Sequence, residues 1–543
     1  MRNKLLALSF ITLFASTITT AQWTNNLMQN TPVSVLSNSV TPMTATMANG
    51  FTYVSYYWPD STSQYTLFLQ LLDTAGNKLW GANGVAACTK PSGTSVSLYD
   101  LKVDNEGNAI LGAQFIDTVS YTDSVFVTKI SPTGTALWGT NGITLGAALS
   151  PVLCVTPGNN IVVAARGGAL IWRLSANGVV SWPQPDTLPT KVENMGIVGT
   201  SSEDFILEYF LAGNNFQYGT LYGMKYDSTG AQKWANPVQV SSQTAAVYDA
   251  IHCAEDGHDG LFTAFTSYTN INQDGFAQHI SATGDTLWAT DGLDVSTDVN
   301  VLKFVTGLVY APAQKDLYVI ESETDLNQNY YGVRLQKIDS SGAPKFTVNG
   351  IETEPLDSGQ TDAGIALEND GLVYMYLSDS SEIKADKIDF NGNKIWQRYA
   401  CTQTSSKLNP SLGLYKNYQV VLVWEDDRNN TSGIYAQAFI DTLAKDTATT
   451  GIFSPQIASF KATLFPNPAQ GNELNLQLTS EFDEAVTISI LDLTGNEVYG
   501  TEKQTLTGVN TFSLNVPKLA AGLYIVQLQS SGYRLSMKWI CGQ

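Results

Sequence analysis

The chain has 543 residues, room for several domains or one very large one. Its 29 Lys and Arg against 49 Asp and Glu give a net charge of −20, which argues against a nucleic-acid or anionic-membrane partner held by a basic footprint. Charged residues are only 14% of the chain, aromatics reach 10%, and the 43% hydrophobic content excludes intrinsic disorder, because a core of that size offsets chain entropy. That profile fits a secreted all-β protein.

At the N-terminus, Arg2 and Lys4 precede an apolar stretch from Leu5 to Ala15, and the small residues Thr19 and Ala21 stand before Gln22. Charge, apolar run and small residues in that order predict a cleaved signal peptide over 1–21. The apolar run is shorter than the roughly 20 residues a membrane span needs, and no later segment is long and apolar enough to be transmembrane.

One phrase then recurs through the chain: an apolar strand, a turn with Gly, and an aromatic residue four positions after the Gly. It reads Leu72 to Gly76 to Trp80, then Ile130, Gly134, Trp138, then Leu174, Gly178, Trp182. It continues as Tyr226, Gly230, Trp234; Ile280, Gly284, Trp288; Ile338, Gly342, Phe346; and Ile388, Gly392, Trp396. Ahead of each phrase lie runs rich in β-branched and aromatic residues, such as Phe51 to Tyr56, Ile161 to Ala165 and Val420 to Trp424, which read as strands. Four-stranded units of roughly 50 residues predict an all-β fold, a β-propeller over 22–441. The last hairpin, Val420 to Trp424 with Ile434 to Ile440, lacks the aromatic phrase, while Gln22-Trp23-Thr24-Asn25-Asn26 resembles Lys233-Trp234-Ala235-Asn236. The prediction is therefore eight blades, with the Trp23 segment as the outer strand that closes the ring and removes a free sheet edge. Trp23, Trp80, Trp138, Trp182, Trp234, Trp288, Phe346 and Trp396 become a ladder of blade-docking aromatics, and Gly supplies the positive φ of the turn.

The phrase resembles the tryptophan-docking motif of quinoprotein-type propellers. No Cys-Cys dipeptide of the kind that flanks the quinone in those enzymes is present, so the resemblance implies the scaffold and not the cofactor. A sialidase Asp-box places Trp three residues after Gly, not four. Trp424-Glu425-Asp426-Asp427-Arg428 resembles the Trp-x-Asp-x-Arg turn of secreted bacterial propellers, where the acid and arginine brace a hairpin.

The end of the chain carries a more specific pattern. After a Thr/Ala/Ser-rich linker at 442–460 come Pro466-Asn467-Pro468, the turn Asp492 to Gly495, the strand Gly522-Leu523-Tyr524 and a terminal Lys538. In order and spacing, 461–543 resembles the type A C-terminal sorting domain of the type IX secretion system of Bacteroidota. Its own alternating strands, as at Val486, Ile488 and Ile490, predict a small antiparallel β-sandwich. The resemblance implies passage through the periplasm, recognition by the type IX machinery, and delivery to the outer cell surface or the medium.

Recognisable catalytic chemistry is sparse. Cys88, Cys154, Cys253, Cys401 and Cys541 are spread along the chain, a poor disulfide framework, and are read as buried free thiols. There is no nucleophile elbow, phosphate loop or zinc helix. His252 and His258 flank Cys253, Glu255, Asp256 and Asp259, a mix that could hold a metal but reads better as a polar turn. Acid-rich loops at Asp117 to Asp123, Glu321 to Asp325 and Glu425 to Asp427 could take Ca2+ or serve as solvated turns. Nearby Trp58, Tyr121, Phe216, Tyr268 and Tyr330 could stack on sugars. With no cofactor expected, the leading expectation is a non-catalytic scaffold binding a protein or glycan. The alternative is a hydrolase or lyase with acidic residues converging in the central channel.

Overall fold

The computed structural model describes residues 23–24, 26–440 and 461–542, apart from 169, 183–185, 215–216, 270–271, 358–359, 379–380, 471–472, 481–484, 493–495, 507 and 530–533. The predicted signal peptide, the linker and the site residue Gly495 lie outside the described residues, as does Phe216. The chain divides into two compact bodies, one ending at Ile440 and one formed mainly by the residues from 441 onward. Among the described residues there is no α-helix, only a short 3-10 turn at Arg428–Asn430, and no helix is long and apolar enough to cross a membrane.

The first body is a succession of antiparallel sheets. Sheet 1 holds Val40–Thr46, Thr52–Pro59, Tyr65–Leu72 and Val85–Ala86; sheet 2 holds Thr94–Val103, Ala109–Asp117, Asp123–Ile130 and Ile143–Gly146. Sheet 3 holds Leu149–Val155, Ile161–Arg166, Leu170–Leu174 and Asp186–Thr187. Sheet 4 has eight strands: Val192–Gly199, Phe205–Ala212, Tyr218–Tyr226, Val238–Ala246, His252–Glu255, Leu261–Thr269, Asn272–Ile280 and Leu293–Asp294. Sheet 5 is Val301–Ala311, Asp316–Asp325, Tyr331–Asp339 and Ile351–Asp357, and sheet 6 is Gln360–Leu367, Gly371–Ser378, Glu382–Asp389 and Lys394–Cys401. Sheet 7 combines Lys407–Leu412, Gln419–Asp426 and Gly433–Ile440 with Thr31–Pro32 from the other end of the chain.

The second strands are the most buried. Ala109 to Phe115 and Gln419–Asp426 lack in-out alternation because both faces are covered by neighbouring sheets. The core is accordingly a series of inter-sheet clusters, one of which joins Tyr53, Leu69 and Leu71 of sheet 1 to Leu101, Leu111 and Phe126 of sheet 2. The first strands of successive sheets lie against one another, and Lys407–Leu412 of sheet 7 lies against Val40–Thr46 of sheet 1.

Two sequence expectations need correction. The N-terminal segment that pairs with the last hairpin is Thr31–Pro32, opposite Ala436 and Tyr435, and not the stretch around Trp23. Trp23 precedes it as irregular chain, its ring packed on the turn glycine Gly76. The four-stranded reading of the repeat also puts the aromatic of each phrase on the fourth strand. Trp80, Trp182, Trp234, Trp288 and Phe346 instead sit in bends, and Trp138 in a turn, ahead of that strand, and only Trp396 lies on one, Lys394–Cys401. The chain turns two residues earlier, where an isolated bridge such as Leu72 with Lys78 closes the glycine turn.

Candidate functional site

The second body is built on two sheets, Lys461–Phe465, Glu473–Ser480 and Gly508–Asn515 in one, and Ala469–Gln470, Arg534–Gly542, Gly522–Gln529, Ala485–Leu491 and Glu497–Gln504 in the other. Alternating residues Leu474, Leu476, Leu478, Val486, Ile488, Ile490, Val526 and Leu528 meet in one core with Tyr524 and Trp539. The Pro466-Asn467-Pro468 segment is fastened to the last strand by the Asn467 side chain, which donates from Nδ2 to the Lys538 carbonyl at 2.8 Å and accepts at Oδ1 from the Ile540 amide at 2.9 Å. This lets Ala469–Gln470 run parallel to Cys541 and Gly542. Gly522 opens the strand opposite Cys541, Tyr524 donates its hydroxyl to the Ala520 carbonyl at 2.9 Å, and Lys538 stands opposite Ile525. Pro466, Asn467, Pro468, Gly522, Tyr524 and Lys538 thus gather at the two strands that carry the C-terminus.

In the first body Trp23 and the aromatic of every phrase but the last, Trp396, reach the glycine turn of the following phrase. The indole N–H of Trp23, Trp80, Trp182, Trp234 and Trp288 donates to the carbonyls of Thr74, Pro132, Ser228, Ala282 and Ser340, at 2.9 to 3.3 Å. Each acceptor lies two residues before the next turn glycine. That glycine has φ of +78° to +91° at Gly76, Gly134, Gly178, Gly230, Gly284, Gly342 and Gly392, and at Gly284 an added Cβ would come within 2.9 Å of the Trp234 ring. Only glycine satisfies both the backbone and the close approach. Trp138 packs on Gly178, but among the described residues its N–H has no partner, and the corresponding carbonyl of Ala176 accepts from Lys129 Nζ at 3.2 Å. Phe346 has no N–H to offer, and Lys337 Nζ takes the corresponding carbonyl of Phe390 at 3.0 Å.

These lysines belong to a series that the sequence reading missed. The residue five before the turn glycine is basic at Lys129, Arg173, Lys225, His279, Lys337 and Lys387. Five of these reach an acid at the turn between their own first and second strands: Asp104 at 2.8 Å, Asp204 at 4.0 Å, Asp256 at 2.9 Å, Asp316 at 3.1 Å and Glu368 at 2.8 Å. The metal candidates His258, Asp256 and Asp259 fall in this scheme. Asp256 accepts from the His258 and Gly260 amides and from His279 Nε2, and Asp259 holds Ser201 at 2.6 Å. Among the described residues, no group of three or more His, Cys, Asp or Glu is placed to hold a metal. All five cysteines are free, and all but the half-buried Cys253 are buried.

The Trp424, Asp426 and Arg428 motif holds more than its own hairpin. The Arg428 guanidinium bonds Asp426 at 2.5 Å, donates to the carbonyls of Met28 and Gln29 at 3.1 and 3.0 Å, reaches Asn30 Oδ1 at 3.3 Å, and lies 3.7 Å from the Tyr435 ring centre. Asp426 also receives Trp424 Nε1 at 3.1 Å and Ser405 Oγ at 2.6 Å. Burial would raise the Asp426 carboxyl, but the hydrogen bonds from Arg428, Ser405 and Trp424 outweigh it and hold the group down to about 2.

The hairpin loops between second and third strands use their acids internally. Asp60 Oδ1 accepts from Thr62 and Gln64, Asp117 Oδ1 from Val119 and Ser120, and Asp325 Oδ1 from Asn329 and Tyr330. Gln64 Nε2 links the first of these loops to Thr118 of the next at 3.1 Å. From these braced loops, Val119, Tyr121, Leu326 and Tyr330 project with more than half of their surface open to solvent.

Among the described residues two carboxyls, Glu208 and Glu321, are buried with no hydrogen-bond partner at either oxygen, and Glu208 lies between flanking glycines. Glu208 stands opposite Gly196 and Gly223, and burial pushes its carboxyl up to about 8. A raised carboxyl binds its proton more tightly in the folded chain, so its cost grows as pH climbs from the unfolded value near 4.5 toward 8. Glu208→Gln is expected to match the parent at pH 4 and to be on the order of 1–3 kcal/mol more stable at pH 8, read by thermal melts across that range.

Residues 463–542 match the family model described as secretion system C-terminal sorting domain. No curated protein matches the chain. Among solved structures, a virginiamycin B lyase from Staphylococcus aureus is similar at 11% identity and TM-score 0.36, over 62% of this chain and 91% of that one. A prolyl oligopeptidase B from Galerina marginata is similar at 8% identity and TM-score 0.41, over 82% of this chain and 56% of that one. At that level neither speaks to the chemistry of this chain. The Asn467 clasp, the Tyr524 strand and the family match agree on the C-terminus: residues 463–542 are a type IX secretion-system sorting domain, and the protein that carries them is addressed to the cell surface or the medium.

Proposed function

We propose that the first body is a closed eight-bladed propeller serving as a non-catalytic scaffold that binds a protein or glycan, carried through the periplasm and outward by the sorting domain. In this reading sheet 4 counts as two blades joined edge to edge, and Thr31–Pro32 completes the last blade. Support comes from the pairing of Thr31–Pro32 with Gly433–Ile440 and from the succession of first strands that returns to Val40–Thr46. Trp23, Trp80, Trp138, Trp182, Trp234, Trp288, Phe346 and Trp396 act as docking residues, and Pro466, Asn467, Pro468, Gly495, Gly522, Tyr524 and Lys538 act in export.

The observation that carries the binding role is the set of exposed apolar and aromatic side chains on loops fixed by their own aspartates. Such loops lose little entropy on association, and tyrosine offers a large contact area with few rotamers to freeze. The secreted protein, immobilised and exposed to surface polysaccharides and surface proteins of the producing cell, is expected to retain a partner, and Tyr121→Ser with Tyr330→Ser to lower that retention at least tenfold. Retention unchanged by both substitutions, or turnover of a polysaccharide or peptide substrate by the purified protein, would overturn the reading.

A further inference from the structure

Sheet 4 departs from its neighbours at one place. Its fourth strand, Val238–Ala246, pairs with Tyr218–Tyr226 in the usual way and then makes a second pairing on its other side, Ala245 with Ser267. Among the described residues of the first body, this is where two four-stranded groups become one continuous sheet.

Three tyrosines and one carboxylate gather at that joint. Tyr218 stands opposite Ala246, and its ring centre lies 6.2 Å from that of Tyr268, the neighbour of Ser267. Tyr248 and Asp249 follow on the connection out of the fourth strand. Tyr218 is 40% and Tyr248 69% exposed, and Tyr268 is half-buried. The connection is held from three directions: the Asp249 amide donates to the Ala246 carbonyl at 3.1 Å, the Val247 amide to the Gln217 carbonyl at 3.1 Å, and Asn194 Nδ2 to the Asp249 carbonyl at 2.6 Å. The Asp249 carboxyl is raised by partial burial, against the hydrogen bond it accepts from the Tyr268 hydroxyl.

We propose that Tyr218, Tyr248, Tyr268 and Asp249 form a binding subsite for a neutral oligosaccharide. The inference rests on the scaffold reading of the same loop face and names its ligand. Ring faces present apolar, electron-rich surface to the C–H face of a pyranose, while a carboxylate with free lone pairs accepts from sugar hydroxyls. Asp249 and the net charge of −20 disfavour an anionic glycan. Three partly exposed rings, each burying at most about 150–250 Å², fall short of the roughly 800 Å² per partner of a stable protein interface, whereas they suffice for a sugar chain.

The test is titration calorimetry of the full secreted chain with cellohexaose, maltohexaose and mannohexaose, with polygalacturonate as the anionic control. At least one neutral hexasaccharide is expected to bind, with Kd raised tenfold or more by Tyr248→Ala and by Tyr218→Ala and several-fold by Asp249→Asn. Tyr248 is exposed, so its variant is expected to melt with the parent, which separates lost contact from lost fold. Failure of all three neutral glycans to bind, stronger binding of polygalacturonate, or a Tyr248→Ala variant that binds like the parent would overturn the proposal. If the neutral glycans fail while Tyr121→Ser and Tyr330→Ser still abolish capture of another partner, the subsite is refuted and the scaffold reading stands.

Discussion

Replacing Arg428 by methionine is expected to destabilise the first body by about 3–5 kcal/mol, the range for removing one partner of a buried ion pair. Asp426, fully buried, would keep only Lys407 Nζ at 3.6 Å as a cationic partner, too far for a hydrogen bond, and the carbonyls of Met28 and Gln29 would lose their donor. Methionine preserves most of the side-chain volume, so the loss reads the charge and its hydrogen bonds more than a cavity. The pH dependence gives a second check. A carboxyl held down to about 2 contributes its full stabilisation above the unfolded value near 4 and loses it as pH falls from about 4 toward 2. The gap between parent and Arg428→Met should therefore be widest near neutrality and shrink below pH 4. Limited proteolysis should find the first accessible cut of the variant before Asn38, because that segment is what the guanidinium fastens. A melting temperature equal to the parent's would refute the account.

Deleting 461–543 is expected to abolish secretion while leaving the first body folded. The extracellular fraction should fall at least tenfold, with the truncated chain recovered from the cell envelope. Asn467→Ala is the finer probe, because it removes both bonds that fasten the Pro466 to Pro468 segment to the last strand, at Lys538 and Ile540, and leaves the apolar core of the sandwich untouched. It should reduce export several-fold. Secretion of the truncated chain at parental levels would refute the address reading.

What could be read ahead of the structure was whatever depends on neighbours in the chain. The turn phrase was legible because its requirements are local: an Asp or Ser whose oxygen accepts from the amides two and four residues on, as at Asp227 and Asp339, and a glycine at positive φ. The β-rich runs were legible from their composition. The closing strand was misplaced because likeness to Lys233-Trp234 pointed to Trp23, while the true strand is two residues long and ends in proline, a residue that sequence patterns count against strands. The bonds of Asn467 to partners 71 and 73 residues away left no local signature. Nor did the Tyr218, Tyr248 and Tyr268 cluster, whose members come from three different segments. The basic series at Lys129, Lys225, Lys337 and Lys387 was present at a constant offset from the turn glycine, and aligning the repeats column by column would have exposed it.

The contact between Arg428 and the carbonyls of Met28 and Gln29 joins residues 400 and 399 positions apart. Closing a loop costs entropy that grows with the logarithm of its length, and non-local contacts are the slow ones to form. Every other sheet of the first body is assembled from a continuous stretch of chain, so those sheets can form as the chain emerges, while the last one waits until Ile440 has been made. Completion of the first body is therefore the late event of its folding, and the segment from Met28 to Pro32, whose partners are Arg428 and Gly433–Ile440, is the part that waits longest for it.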